Sequence, residues 1–217
     1  MNVRGDRAAA RVWESALVKV CSALSATDAN DFILFGSQAM SVYLERALPS
    51  KDLDLIVPAV SPSVLKVLRT ALSEGASASP GYEFGVFDYE GRDYPVGHFY
   101  LRYPDGTPLV VELFQTFLGF DARRLTPWLA FKERWGVTLQ VPTPEAVIAT
   151  RLAFRPPERV TPFNAARLSR FVRALPEIDW GEVGSFLDEF GLRPVALENL
   201  RLLGAKRIAI PGAGALK

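Results

Sequence analysis

"LFGSQAMSVYLERALPSKDLDLIV", residues 34–57, is the stretch on which the reading of the fold turns. A short apolar run ends at Gly36-Ser37. Helical spacing follows over 37–47, and then Asp52-Leu53-Asp54 opens a second apolar run. Side chains on a strand alternate between faces, so Asp52 and Asp54 share one side, about 7 Å apart at roughly 3.3 Å per residue. Leu53, Leu55 and Val57 take the other side, toward a core. Two ionised carboxylates that close repel each other, and setting them beside a sheet core is costly unless a cation compensates. Hard divalent cations take oxygen ligands, often a few carboxylates together with substrate phosphates. The plainer alternative is a solvated strand end in which Lys51 pairs with Asp52 or Asp54.

Upstream and downstream the pattern is mixed. Val12, Ala16, Leu17, Val20 and Leu24 recur with a helical period over 7–25. "DFILF" (31–35) reads as a short buried strand and "LDLIV" (53–57) as a β-branched one. "SPSVLKVLRTALSEG" (61–75) opens as a helix at Ser-Pro and closes at Gly75. "YEFGVFDY" and "YPVGHFYLRY" are aromatic-rich strand candidates, and "YPDGT" (103–107) turns the second of them into "PLVVELFQTF" (108–117) as an antiparallel hairpin. "GVTLQVPTPEAVIATRLAF" (136–154) reads as strand, turn and helix. Three helical patterns follow at 162–175, 181–190 and 194–203, and the tail "IPGAGALK" is expected to be loose. The expected architecture is therefore α/β (α+β), a mixed sheet flanked by helices over 1–140 with a helical C-terminal subdomain over 141–217.

The bulk composition narrows the classes. The chain has 217 residues, 49% of them hydrophobic and 23% charged, as in ordinary globular proteins rather than disordered ones. No apolar run approaches the roughly 18 residues of a membrane span. Met1 to Ala10 carries Arg4, Asp6 and Arg7 and no apolar segment, so no signal peptide is expected. A single cysteine, Cys21, sits on the apolar face of a helical pattern, as a buried small hydrophobe would. A cytoplasmic location is the expectation. The net charge of +1 hides an asymmetry, because residues 1–119 hold 10 basic against 14 acidic residues and residues 120–217 hold 15 against 10. An acidic half suits a cation, and an Arg-rich half suits phosphates.

A third acid is needed to complete a cation site, and "PLVVELF" offers Glu112 in an otherwise apolar strand. A strand, Gly-Ser, about ten helical residues, Asp-x-Asp on the next strand and an acid on a later strand together resemble the polymerase-beta-like nucleotidyltransferase superfamily. The detail "GSQAM…LERALPSKDLDLIV" is most similar to its minimal bacterial branch, the AbiEii-type toxins of type IV toxin–antitoxin systems. The resemblance covers 32–57 well and 108–116 moderately, and extends loosely to "VPTPEAVIATRLAF". It implies transfer of a nucleoside monophosphate from an NTP to an acceptor, with Mg²⁺ or Mn²⁺ as cofactor. It places Asp52, Asp54 and Glu112 as catalytic metal ligands, and Gly36, Ser37, Lys51 and Arg151 around the nucleotide's phosphates. The acceptor it implies is a tRNA 3′ end, a protein hydroxyl or an antibiotic; the basic C-terminal half favours RNA. A toxin would also imply a cognate antitoxin partner.

This chain departs from the superfamily's pattern in several places. The interval from Ser37 to Asp52 is a little longer than in most relatives, and Glu112 stands where Asp is usual. Arg151 replaces a lysine, and Arg159 is followed by Asn164 where Arg then Asp is common. A second reading stays open on those departures: a non-catalytic nucleotide- or protein-binding module on a retired nucleotidyltransferase fold.

Other residues carry weaker signals. His98, the only histidine, either packs in its strand or faces Glu112 across the hairpin. With no His/Cys cluster, a zinc site is not expected. Ser41, Ser61 and Ser63 lack a nucleophile's setting. Phe84, Phe87, Tyr89, Tyr94, Phe99, Tyr100 and Tyr103 read mostly as core, with room for one ring to stack a base. Arg123, Arg124, Arg155, Arg159, Arg167, Arg170 and Arg173 form either solvated surface or a phosphate-tracking face, the last three at three-residue spacing on one helix side.

Overall fold

The computed structural model describes residues 3–27, 31–45, 48, 52–73, 81–89, 92–102, 106, 108–117, 119–153 and 161–216; the side chains of 3–13, 87–89, 92, 162 and 163 are outside that description. The expectations for Lys51, Tyr103, Arg155, Arg159 and the turn residues 103–105 therefore fall outside the described residues. The chain divides into two compact units, Met1–Val141 and Pro142–Lys217.

In the first unit the elements run α1 (Val3–Ser25), β1 (Ile33–Leu34), α2 (Gly36–Tyr43), β2 (Asp52–Ile56), α3 (Pro62–Ser73), β3 (Gly81–Tyr89), β4 (Arg92–Arg102) and β5 (Pro108–Phe114). A four-residue helix α4 (Ala122–Leu125), a 3₁₀ turn (Thr126–Trp128) and the pair β6 (Leu129–Arg134) and β7 (Val137–Pro142) complete it. Five strands form a mixed sheet in the order β1-β2-β5-β4-β3, and β6 and β7 form a separate two-stranded sheet. β2 and β5 run parallel, while β1–β2, β5–β4 and β4–β3 are antiparallel.

Alternation along the strands splits the sheet into two faces. Leu53, Leu55, Val111, Leu113, Phe99 and Leu101 pack with Leu17, Val20 and Leu24 of α1 and Val64, Leu68 and Leu72 of α3 in one buried cluster. Each such side chain contributes about 1.5–3 kcal/mol by leaving water. The same alternation commits Asp52, Asp54, Glu112, His98 and Tyr100 to the opposite face.

Sequence reading overextends α2. Helical spacing runs to residue 47, yet the helix ends at Tyr43, and Glu45 takes a left-handed backbone at φ 55°. Arg134 of β6 holds that end. Its Nε donates to the Val42 carbonyl at 3.2 Å, and its Nη2 meets Glu45 Oε1 at 3.0 Å. β6 itself has no counterpart among the expected elements. Its hairpin with β7 turns at Trp135-Gly136, with φ 49° and 75°, and a tryptophan is not a turn-forming residue.

The aromatic run also divides. Tyr94 and Phe99 are buried as expected, whereas Phe84 and Tyr100 are 66% and 44% exposed. β3 is the edge strand, and the core-side positions of its outer part extend beyond the buried cluster.

The second unit is helical: α5 (Pro144–Ala153), α6 (Pro162–Ala174), α7 (Trp180–Glu189), α8 (Arg193–Ala205) and a 3₁₀ turn (Ala213–Leu216). Thr161 caps α6 by accepting from Asn164 N, and Asp179 caps α7 by accepting from Gly181 N at 2.8 Å and Glu182 N at 3.2 Å. The tail is not loose. Ala213 and Leu216 are buried, and the Leu216 carbonyl accepts from Arg193 Nη1 at 3.1 Å. Among the described residues, no helix is long and apolar enough to cross a membrane.

Candidate active site

Strand pairing brings residues distant in sequence into ordered rows on the face opposite the core. Asp54 lies opposite Glu112, Glu112 opposite His98, and His98 opposite Glu83. One row further along, Asp52, Val110, Tyr100 and Gly81 stand in register. On the other side of the acid row come Ile56, Phe114, Val96 and Gly85. Exposure grades across these rows. Ile56 and Val96 are fully buried, Asp54, Glu112 and His98 are half-buried, and Asp52 and Tyr100 are exposed.

The Asp54 and Glu112 carboxyl groups hydrogen-bond to each other. Burial is the main influence pushing the Glu112 carboxyl above its ordinary value; the Asp54 hydrogen bond opposes that rise, and the charge of Asp52 adds to it. His98 Nε2 stands 3.3 Å from Glu112 Oε1. Burial holds the His98 imidazole below its ordinary value against the pull of the Glu83 carboxylate, which favours the neutral ring.

Gly36 closes the other side of Asp54. Its φ is 65°, a left-handed conformation that favours glycine, and a β-carbon there would overlap Asp54 Oδ2. The Phe35 N–H donates to the Asp54 carbonyl at 2.9 Å, so the turn into α2 is tied to the strand that carries the acid. Phe35 caps α2 with no side-chain hydrogen bond. Ser37 follows, buried and with a partner of its own.

Two residues without a predicted role hold this turn in place. Gln38 is fully buried, its Nε2 donating to the Asp52 carbonyl at 3.4 Å and its Oε1 accepting from Ser41 Oγ at 2.9 Å. Ser41 Oγ in turn accepts from Leu48 N at 3.0 Å. A glutamine and a serine at i, i+3 on an otherwise apolar helix face are the only sequence signal for that network.

The structure thus gathers Asp52, Asp54, Glu112 and Gly36 on one side of the sheet, with Ser37 next to Gly36. Lys51 lies outside the described residues. Arg151 occupies the last turn of α5 in the second unit and is half-buried. Arg123 and Arg124 are exposed on α4, Arg124 Nη1 donating to the Gly119 carbonyl at 3.2 Å. Arg170 and Arg173 are exposed on α6, where Arg167 is half-buried.

Among the described residues, no group of three His, Cys, Asp or Glu side chains is placed to hold a metal ion. The acids meet as a pair, with Asp52 at its exposed end. In donor chemistry the pair suits a hard divalent cation, which binds through one or two carboxylates and fills its shell with phosphate oxygens and water.

No protein-family model matches the chain. No curated protein matches it either. Among solved structures, a protein from H. pylori provisionally named a nucleotidyltransferase is similar at 14% identity and TM-score 0.43, over 96% of this chain and 97% of that one. An antigenic nucleotidyltransferase-like protein from Paracoccidioides brasiliensis is similar at 19% identity and TM-score 0.43, covering 93% and 95%. A cytoplasmic RNA terminal U-transferase is similar at 16% identity and TM-score 0.29, over 77% of this chain and 50% of that longer one.

Proposed function

We propose that the chain is a metal-dependent nucleotidyltransferase that moves a nucleoside monophosphate from an NTP to an acceptor and releases pyrophosphate. The observation that carries this reading is the contact between the Asp54 and Glu112 carboxyl groups, with Gly36 backbone closed against Asp54 and Asp52 on the same face.

Asp54 and Glu112, joined by Asp52, are the side chains that would hold Mg²⁺ or Mn²⁺. When bound, the cation supplies charge neutralisation for the triphosphate and the reacting oxygens. Gly36 makes room for the Asp54 carboxyl group against the turn, and the start of α2 is the end of that helix that favours an anion. Ser37 and Lys51 complete the phosphate contacts in this reading. Glu112 stands at the acceptor side of the pair and takes the proton of the attacking hydroxyl. Catalysis is then mostly positioning and charge stabilisation.

RNA, with a tRNA 3′ end as the first candidate, is the favoured acceptor, on the basic excess of residues 120–217. The narrower assignment, an AbiEii-like toxin with a cognate antitoxin, rests on the 34–57 stretch alone. The test is incubation with each α-labelled NTP, Mg²⁺ or Mn²⁺, and bulk RNA or protein as acceptor. Label entering RNA, and none entering from γ-labelled NTP, is the expected outcome. Transfer of γ-label instead would make the chain a kinase and end the proposal.

A further inference from the structure

The geometry points to Tyr100, backed by His98, as a shelf that stacks the terminal nucleobase of a nucleic-acid acceptor beside Glu112. The inference rests on the transferase reading and gives its acceptor a chemical class: a hydroxyl with an aromatic base attached to the same sugar.

Tyr100 is an exposed aromatic on the site face rather than the core face. Its cross-strand neighbour on β3 is Gly81. An aromatic opposite a glycine commonly lies over it, shielding the bare backbone. That does not happen here, because a β-carbon at Gly81 would meet nothing within 4 Å. The Tyr100 ring instead leans along its own strand and stacks on His98, with centroids 5.7 Å apart and planes 27° apart. His98 in turn touches Glu112 at 3.3 Å. The result is two stacked rings reaching from Glu112 toward solvent, with glycine at Gly81 leaving the outer ring uncovered by the edge strand.

The direction of the acid row decides which base this shelf serves. Gly36 and the start of α2 lie at the β2 end, against Asp54, where the triphosphate would sit. His98 and Tyr100 lie at the opposite, β4 end. In an in-line displacement the leaving pyrophosphate and the attacking hydroxyl occupy opposite sides of the phosphorus. The ring pair is therefore on the attacker's side. Tyr100 stands diagonal to Glu112, one strand over and two residues along, about 7–8 Å away, a span that a nucleotide's sugar and base together cover. A serine, threonine or aminoglycoside hydroxyl carries no aromatic ring to place there.

The probe is a short single-stranded RNA with 2-aminopurine as its 3′-terminal base, whose fluorescence is quenched when it stacks. The wild-type chain should quench it, and Tyr100→Phe should quench it as well. Tyr100→Leu should weaken the interaction by roughly 5- to 150-fold, the range that base–aromatic stacking spans. Phe84→Ala, an exposed aromatic on the other face of the same strand pair, should leave the quench intact. An unquenched probe with wild type, equal quenching by Tyr100→Leu, or equal quenching of a probe labelled only at its 5′ end would overturn the shelf. The two readings fail separately. Tyr100-dependent quenching without any nucleotidyl transfer removes the transferase and leaves the shelf, whereas transfer to RNA that is indifferent to Tyr100→Leu removes the shelf and leaves the transferase.

Discussion

Asp54 and Glu112, 58 positions apart in the sequence, face each other in the parallel pairing of β2 and β5 with their carboxyl groups hydrogen-bonded. Burial raises Glu112 above the ordinary carboxyl value, so over a window of pH the native chain keeps a proton on this group that the unfolded chain has already lost. A raised acid contributes stability that is complete below the unfolded value and is lost as pH rises through the native one. In metal-free buffer, stability should therefore fall as pH climbs through that window. Glu112→Gln should flatten the fall, as read from urea unfolding at a series of pH values. An unchanged slope in the variant would contradict the burial of Glu112 on this face.

Gly36→Ala should destabilise the first unit. The left-handed backbone alone costs about 1–2 kcal/mol for a residue with a β-carbon, and the new methyl would overlap Asp54 Oδ2. A fall in melting temperature of roughly 2–4 °C per kcal/mol is the expected scale. Calorimetry showing no change would mean that the turn does not close on the acid.

Asn199→Ala should weaken the second unit by about 1–3 kcal/mol. Asn199 is buried, and its Nδ2 donates at 2.7 Å to the Leu152 carbonyl in the last turn of α5, where no further helical N–H can reach. Chemical denaturation followed by Trp180 fluorescence, with the other tryptophans replaced, reads this unit directly.

Cys21 should be inert in the folded chain. Burial on α1 pushes its thiol up to about 12, so almost no thiolate exists near neutral pH. Ellman's reagent should report no reaction at pH 8 and one thiol per chain after denaturation. Rapid reaction of the native protein would show that α1 does not pack on the sheet as described.

How far the sequence carried depended on whether the information was local. Asp-x-Asp alternation puts two acids on one strand face by geometry alone, and Gly-Ser after an apolar run marks a strand-to-helix turn. The helices of the second unit were legible from period, proline and glycine. The partnership of β2 with β5 was not, because parallel pairing joins strands through a long crossover that leaves no turn signal between them. In the sequence that pairing is signalled only by the resemblance and by the isolated acid in "PLVVELF". β6 was missed because its turn uses Trp135 in a left-handed conformation, which tertiary packing supports and local propensity does not predict. Phe84 and Tyr100 look like core residues in the sequence because composition reports hydrophobicity and not that Phe84 lies on the edge strand or that Tyr100 lies on the face opposite the core. Gln38 was passed over because a buried glutamine is recognisable only once its partners are in place.

The most direct test of the central claim is the rate of α-phosphoryl transfer by Glu112→Gln and Asp54→Asn, with NTP affinity measured on the same preparations. Each variant should fold, and each should lose transfer by about 100-fold or more, the scale of removing one group that stabilises developing charge. Transfer within about twofold of wild type in either variant would place the reaction somewhere other than this acid pair.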